Sequence, residues 1–449
     1  MGIELKPHKA LDLHDLATWR ERLRADHRHR FVMNAVVAGG LTDFALDQDA
    51  ITETKGAFST DLDTGGATNQ KESGRCWMFA GLNLLRERAR RNLGLDDLEL
   101  SESYLMFFDK LEKSNAFYES IIATAAEAAD SQVVMALTED PAGDGGEWQL
   151  FANLIEKYGL VPQKAMPETF HSSASHGLNA VLKHKLRHDA ADLRRLAHLG
   201  LEAARSRKAV MMEEVHRLLS VFLGVPPERF DFEYRDGKKG FRALRDLTPE
   251  RFFSEHVRFD FGAWANLMNV PTPDKPFGRT YAVAHAPRVE GGRPYPYLNV
   301  DIDTMRSLAL RQLESGEGVY FGCDVVEMMD SASGVLDDRI YDLSAVFGID
   351  LEFRKEEHLG PLGRIAGGHQ MLFTGVDLTD AGVRRWKVEN SWGTDVGDKG
   401  YFFMNDGWFG KYVYQVVVRR DLLSRELEEA LAKPPVVLPP WDVVRFLSR

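Results

Sequence analysis

The chain has almost no cysteine. Cys76 and Cys323 are the only two among 449 residues, so a disulfide framework like that of small secreted proteins is excluded. Both are expected as free thiols in a reducing cytoplasm. Positive charge is not in excess either. Lys and Arg total 56 against 68 Asp and Glu, a formal charge of −12, which argues against nucleic acid as a partner. No apolar run approaches the roughly 20 residues of a membrane span. The opening Met1-Gly2-Ile3-Glu4-Leu5-Lys6 lacks the apolar core of a signal peptide, and Lys6 stands where a myristoylation motif wants Ser or Thr. There is no internal repeat and no low-complexity tract. His27 and His29 are close in sequence, but no HExxH or Cys spacing accompanies them, so neither metal nor cofactor is expected.

What is present is apolar and aromatic: 44% hydrophobic residues, with 26 Phe and 8 Trp. That is enough for a large core and more than one structural unit. One stretch carries chemistry. In Asn69-Gln70-Lys71-Glu72-Ser73-Gly74-Arg75-Cys76-Trp77-Met78-Phe79-Ala80, a cysteine stands between a glycine-containing turn and an apolar helix-forming run. A thiol at a helix N-terminus is where a thiolate is stabilised. Gln70, six residues earlier, offers a side-chain N–H to an oxyanion alongside the Cys76 backbone N–H. Downstream, His369 heads the strand-like run Gly368-His369-Gln370-Met371-Leu372-Phe373, and Asn390 ends the run Trp386-Lys387-Val388-Glu389-Asn390. Alone, Cys76 reads as a small buried apolar residue and His369 as structural. Together they read as a nucleophile, its base in a thiolate–imidazolium pair, and the amide that orients the base.

In this order, the residues resemble the bleomycin hydrolase and aminopeptidase C family of papain-like cysteine peptidases. The resemblance continues through Ser103-Tyr104-Leu105, Asp109-Lys110-Leu111-Glu112-Lys113, Asp144-Gly145-Gly146-Glu147-Trp148, Glu156-Lys157-Tyr158-Gly159-Leu160-Val161-Pro162, Phe321-Gly322-Cys323-Asp324-Val325, Asn390-Ser391-Trp392-Gly393 and Leu438-Pro439 with Trp441-Asp442. It implies an α+β fold: a papain-like core of a helical lobe and an antiparallel β lobe, enlarged by helical insertions. It implies a broadly tolerant aminopeptidase acting on peptides, and assembly into a hexameric ring. It also implies that Trp392 covers the His–Asn bond, and that Gly145 and Gly146 form the wall against which a substrate strand pairs, the missing Cβ permitting close approach. Glu147 stands where relatives often carry Gln. Cys323, in an apolar run, reads as structural.

The organisation follows. Residues 1–60 read as an N-terminal arm, with a helix over 11–30 and a short strand or extended segment over 31–37. Residues 61–175 read as the helical lobe bearing the nucleophile, with helices over 76–92, over 101–113 and after Gly146. Asn390 follows Cys76 by 314 positions, against roughly 130–150 in papain-type enzymes. The segment 176–289 is therefore read as a mainly helical insertion, and the resemblance implies that it serves oligomerisation. Residues 290–435 read as the β lobe.

Residues 436–449 form a tail that, by resemblance, enters the cleft and makes an aminopeptidase of it by receiving the substrate's α-amino group at its end carboxylate. Here the tail departs from the family's usual Pro-Met-Gly-Ala-Leu-Ala ending. Arg445 and Arg449 place cations where that ammonium is expected. An endopeptidase or amidase with an open cleft is thus the alternative. A non-catalytic scaffold or nucleic-acid-binding ring is opposed by the intact Gln-Cys-His-Asn set and the acidic charge.

Overall fold

The structure, a computed structural model, describes residues 8–360, 363 and 365–448. Its helical half is built around the helix Cys76–Leu93, in which Trp77, Met78, Leu82, Leu85 and Ala89 are buried. This helix ends at Gly94, whose left-handed φ of 65° and N–H to Arg90 O and Arg91 O make a glycine stop, with Arg90 and Arg91 at the dipole's negative end. Beside it lie Glu102–Ala123, capped by Ser101, and Trp148–Tyr158, capped by Glu147. The long helices His176–Leu199 and Leu201–Leu223, broken at Gly200, pack their leucines into the same core.

The other half is a twelve-stranded sheet. Its centre is fully buried and therefore reads as near-continuous apolar sequence. Gly368–Thr379 pairs antiparallel with Val319–Asp324 on one side and Gly382–Glu389 on the other. Tyr401–Asn405 continues beyond Gly382–Glu389, and Val413–Arg419 beyond Val319–Asp324. Helices beside a mainly antiparallel sheet make this the expected α+β papain-like architecture, although the sheet also holds parallel pairs, such as Val436–Leu438 with Arg279–Val283. Among the described residues, no helix is long and apolar enough to cross a membrane.

Three local expectations differ from the structure. Residues 31–37 lie within the helix His27–Gly39. Its β-branched valines suggested an extended segment, but Asp26 caps the helix by accepting from His29 N, and the cap prevails. The helix expected over 101–113 runs on to Ala123. The segment 176–289 is helical to Leu223 and again over Pro249–Phe252, but a hairpin of Phe230–Arg235 with Phe241–Leu247 lies between, and its strands Trp264–Met268 and Arg279–Val283 join the main sheet. In the arm, the helices Leu13–Ala25 and His27–Gly39 bury no residue, and Leu13, Phe31 and Val37 stand at least 70% exposed.

The tail is docked. Val436–Leu438 adds to the sheet beside Arg279–Val283. Asp442 pairs with the buried Lys275 at 3.0 Å. A 3₁₀ turn over Val443–Ser448 then buries Val444 and Leu447 against Met268, Leu359 and Tyr414.

Candidate active site

Cys76 is the first residue of its helix, so its backbone N–H and that of Trp77 precede the first intrahelical bonds, which Met78 N and Phe79 N make to Arg75 O. The loop that delivers it is held from several sides. Arg75, itself buried, forms two 2.8 Å bonds to Glu168 and one of 2.9 Å to Ser73 Oγ. Gly74 N donates to Asp144 Oδ2 at 3.0 Å.

His369 lies on the strand Gly368–Thr379, directly opposite Cys323. Its Nε2 meets Asn390 Oδ1 at 2.8 Å, and the same oxygen accepts from Ser391 N at 2.7 Å. The backbone donor fixes which amide atom is oxygen, so Nε2 must carry the proton and Nδ1 is the basic nitrogen. The Trp392 ring lies 5.0 Å from the imidazole, centroid to centroid, and helps to cover the bond. Asn390 Nδ2 is buried with no partner among the described residues.

Gln70 is tied to the same loop as Asn390. Its N donates to Ser391 O at 2.8 Å, and its Oε1 accepts from Ser391 Oγ at 2.7 Å. One hydrogen of its Nε2 is engaged by Ser73 O at 2.6 Å. The second is the one that can serve an oxyanion.

The glycine pair is placed against the nucleophile helix by Trp77, whose Nε1 donates to Asp144 O at 2.8 Å. A Cβ on Gly146 would stand 2.3 Å from the Trp77 indole, so the close approach requires glycine. Beneath, Lys113 Nζ donates to Gly143 O and Gly145 O, and Lys110 Nζ pairs with Asp144 at 2.7 Å. Next to the pair is a cavity of about 100 Å³, lined by Gly145, Gly146, Glu147, Tyr281, Tyr297 and Arg445. Arg445 Nη1 is turned to Ala136 O and Pro440 O. Arg449 lies outside the described residues.

The electrostatics are those of a dry site. Burial, with a smaller contribution from Asp144, pushes the Cys76 thiol up to about 11, against backbone hydrogen bonds near Gln370 and Trp77 that pull it down. Burial lowers His369 to about 4, partly opposed by its bond to Asn390. Both shifts come from burial, which disfavours the charged form of each group. Burial likewise raises Glu147 to about 7, against its bonds from Gln149 N, Leu150 N and Tyr297. Among the described residues no group of three His, Cys, Asp or Glu is placed to hold a metal.

The structure thus gathers Cys76, His369, Asn390, Gln70, Trp392, Gly145 and Gly146 into one cleft region. Sequence reading passed over Gln370, although a polar residue inside the apolar run 369–376 was a visible signal. Its Oε1 accepts from Cys76 Sγ at 3.2 Å, and its Nε2 donates to Leu447 O at 3.0 Å. Ser391, Asp144 and the Arg75–Glu168 pair were also passed over, since their partners are remote in sequence.

The model of the Peptidase C1-like family matches residues 10–445. Aminopeptidase C of Listeria monocytogenes is 43% identical over 391 residues, which is 87% of this chain and 88% of that protein. Bleomycin hydrolase of Homo sapiens is 36% identical over 98% of this chain and 99% of its own. The crystal structure of PepW from Lactobacillus rhamnosis HN001 superposes with a TM-score of 0.94 at 42% identity, covering 96% of this chain and 98% of that one.

Proposed function

The chain belongs to the Peptidase C1-like family and is a cysteine-type aminopeptidase, and from that premise we propose that it removes N-terminal residues from peptides through Cys76, His369 and Asn390. His369 Nδ1 takes the Cys76 proton as the sulfur attacks the scissile carbonyl. The tetrahedral oxyanion receives the free N–H of Gln70 Nε2 and the Cys76 backbone N–H. The imidazolium, held in orientation by Asn390 Oδ1, gives its proton to the leaving amine, and a thioester remains. Water, deprotonated by His369, then attacks the thioester and returns the thiol.

The observation that carries the exopeptidase reading is the docked tail. Leu447 is fully buried, and one side chain, Gln370, separates its carbonyl from the Cys76 sulfur. A peptide extending past its scissile residue on that side would meet the tail. Arg445 directs Nη1 to the carbonyl oxygens of Ala136 and Pro440, which occupy part of its guanidinium. Gly145 and Gly146 are proposed to pair with the substrate backbone, and the end of the tail, Arg449, to meet its amino group.

Broad side-chain tolerance, a cytoplasmic location and a homohexamer belong to the same proposal. Two unpaired cysteines support the location. The apolar side chains left exposed on the N-terminal arm support association with further copies.

The test is hydrolysis of an aminoacyl amide with a free N-terminus and of its N-acetylated counterpart. We expect turnover of the first, little of the second, and none of either in Cys76→Ala with the fold intact. Turnover by Cys76→Ala would end the assignment of the nucleophile. Equal use of both substrates by the unaltered protein would make it an endopeptidase or amidase.

A further inference from the structure

We infer that Gln370 is the positioning residue that holds the C-terminal tail at its depth in the cleft, and so sets how far from the nucleophile a peptide's N-terminus must lie. This deepens the aminopeptidase reading and rests on it. Gln370 follows the proposed base, His369, on its strand and is 1% exposed. Both ends of its amide are engaged. Oε1 accepts the Cys76 S–H, and Nε2 donates to the backbone carbonyl of Leu447.

A glutamine suits this place for a chemical reason. The bridge needs an acceptor facing the thiol and a donor facing the tail, on one planar group and at one reach. Glutamate has no donor, leucine and methionine have neither, and asparagine is one methylene shorter. Because Gln370 bonds a carbonyl, the contact does not depend on the Leu447 side chain, which separately seats in the apolar cluster of Met268, Leu359 and Tyr414. Peg and bond together fix Leu447. The backbone at Leu447 is thereby held one side chain away from the Cys76 sulfur, and the bond that holds it sets how deep the tail sits.

The same bridge touches the reacting atom. An acceptor on the S–H favours the protonated thiol. A docked tail holds the amide still and thus holds the thiol in its resting form. The two roles separate by substitution. Gln370→Met removes both the donor and the acceptor. Gln370→Glu keeps an acceptor, adds negative charge beside the sulfur and loses the donor to Leu447.

The experiment compares three full-length variants with the unaltered protein: Gln370→Met, Gln370→Glu and Leu447→Asp, the last unseating the peg. Two quantities are read: the ratio of kcat/KM for the N-acetylated over the free peptide amide, and the rate of Cys76 alkylation by iodoacetamide at pH 6, followed by mass on the Cys76 peptide. All three substitutions are expected to raise the ratio, Gln370→Met and Gln370→Glu by about tenfold each, the size of one buried hydrogen bond. Alkylation is expected to quicken in Gln370→Met and to slow in Gln370→Glu. General loosening of the fold would not produce opposite signs. If Leu447→Asp raises the ratio while both Gln370 variants leave it within twofold, the role of Gln370 is overturned. If Leu447→Asp and both Gln370 variants all leave the ratio unchanged, the tail does not govern specificity, and the aminopeptidase reading of the tail falls with it.

Discussion

Asp144→Asn is the substitution that best tests how the site is held. The Asp144 carboxylate accepts from Gly74 N, Ser175 Oγ, Lys110 Nζ and Asn179 Nδ2. All four partners are donors, and Lys110 is completely buried. An asparagine keeps the shape but turns an amide donor toward some of them and removes the only full negative charge in that set. Lys110 then keeps Ala142 O at 2.9 Å but lacks its counter-ion. Removing one partner of a buried ion pair costs about 3–5 kcal/mol. With an unfolding entropy of about 2.1 cal/mol/K per residue, a chain of this length has about 0.9 kcal/mol/K, so about 4 kcal/mol lowers Tm by about 4 °C. Lys110 and Ser175 hold the Asp144 carboxyl well below the usual carboxylate range, against its burial. A group shifted down contributes above its unfolded value near 3.9 and loses that contribution only as pH falls through the native value. The expected shift is therefore the same at pH 6 and pH 8. The measurement is scanning calorimetry of the unaltered protein, Asp144→Asn, and Asp144→Asn with Lys110→Met. The double variant removes the stranded charge and should recover at least half of the loss. A drop below 1 °C, or no recovery, would refute the reasoning that a buried lysine beneath the glycine wall depends on this carboxylate.

Two further outcomes are expected. Glu147 is raised to about 7 by burial, so the native state retains a proton that the unfolded chain has lost between about pH 4.5 and 7. Its stabilising effect is present below about 4.5 and declines as pH rises through 7. Glu147→Gln should therefore stabilise by about 2 kcal/mol at pH 8 and by little at pH 4.5, allowing for the partial exposure of the side chain. Urea midpoints of the two proteins that stay parallel across this range would contradict it. Gly146→Ala drives a methyl group to 2.3 Å from the Trp77 indole, and overpacking of this kind costs about 1–3 kcal/mol. Because Trp77 follows the nucleophile, kcat/KM should fall by more than about tenfold, and unchanged kinetics would show that the wall tolerates a side chain.

The sequence revealed the parts of the site that carry their own context. Cys76 announces itself by a turn, a helix start and a following Trp. His369 announces itself at the head of a largely apolar, buried strand, and Asn390 by the Asn-Ser-Trp-Gly run that follows its strand. The supports were harder to read. Lys110, Lys113 and Asp144 are ordinary charged residues in sequence, and only the fold shows that they sit under the glycine pair. Strands such as Trp264–Met268 and Arg279–Val283 are short, and each has one partner strand, Val413–Arg419 or Val436–Leu438, more than a hundred positions away, so no local period marks them. The arm failed for the opposite reason. Valines at 32, 36 and 37 favour extended chain locally, but no sheet edge is offered to them, and the Asp26 cap decides the outcome.

The neutral resting pair and the docked tail are two aspects of one arrangement. Moving a proton from a thiol near 11 to an imidazole near 4 costs about 10 kcal/mol if the two charges ignore each other. They do not ignore each other. Opposite charges at about 4 Å attract by about 4 kcal/mol at an effective dielectric of about 20, and a helix N-terminus in a partly buried site adds up to about 2 kcal/mol for the thiolate. The remaining cost is about 4 kcal/mol, small beside the barrier of roughly 16 kcal/mol that turnover at about 10 per second implies. Proton transfer can therefore accompany attack on the substrate carbonyl, and a standing ion pair is unnecessary. A closed site of this kind keeps the thiol in its less reactive form until a substrate carbonyl and the donors of Gln70 and Cys76 are present to take up the developing charge. The tail turn packs Val444 and Leu447 beside Met268, Leu359 and Tyr414, and Gln370 joins the Leu447 carbonyl to the Cys76 thiol, so the segment proposed to select substrates is also tied to the nucleophile.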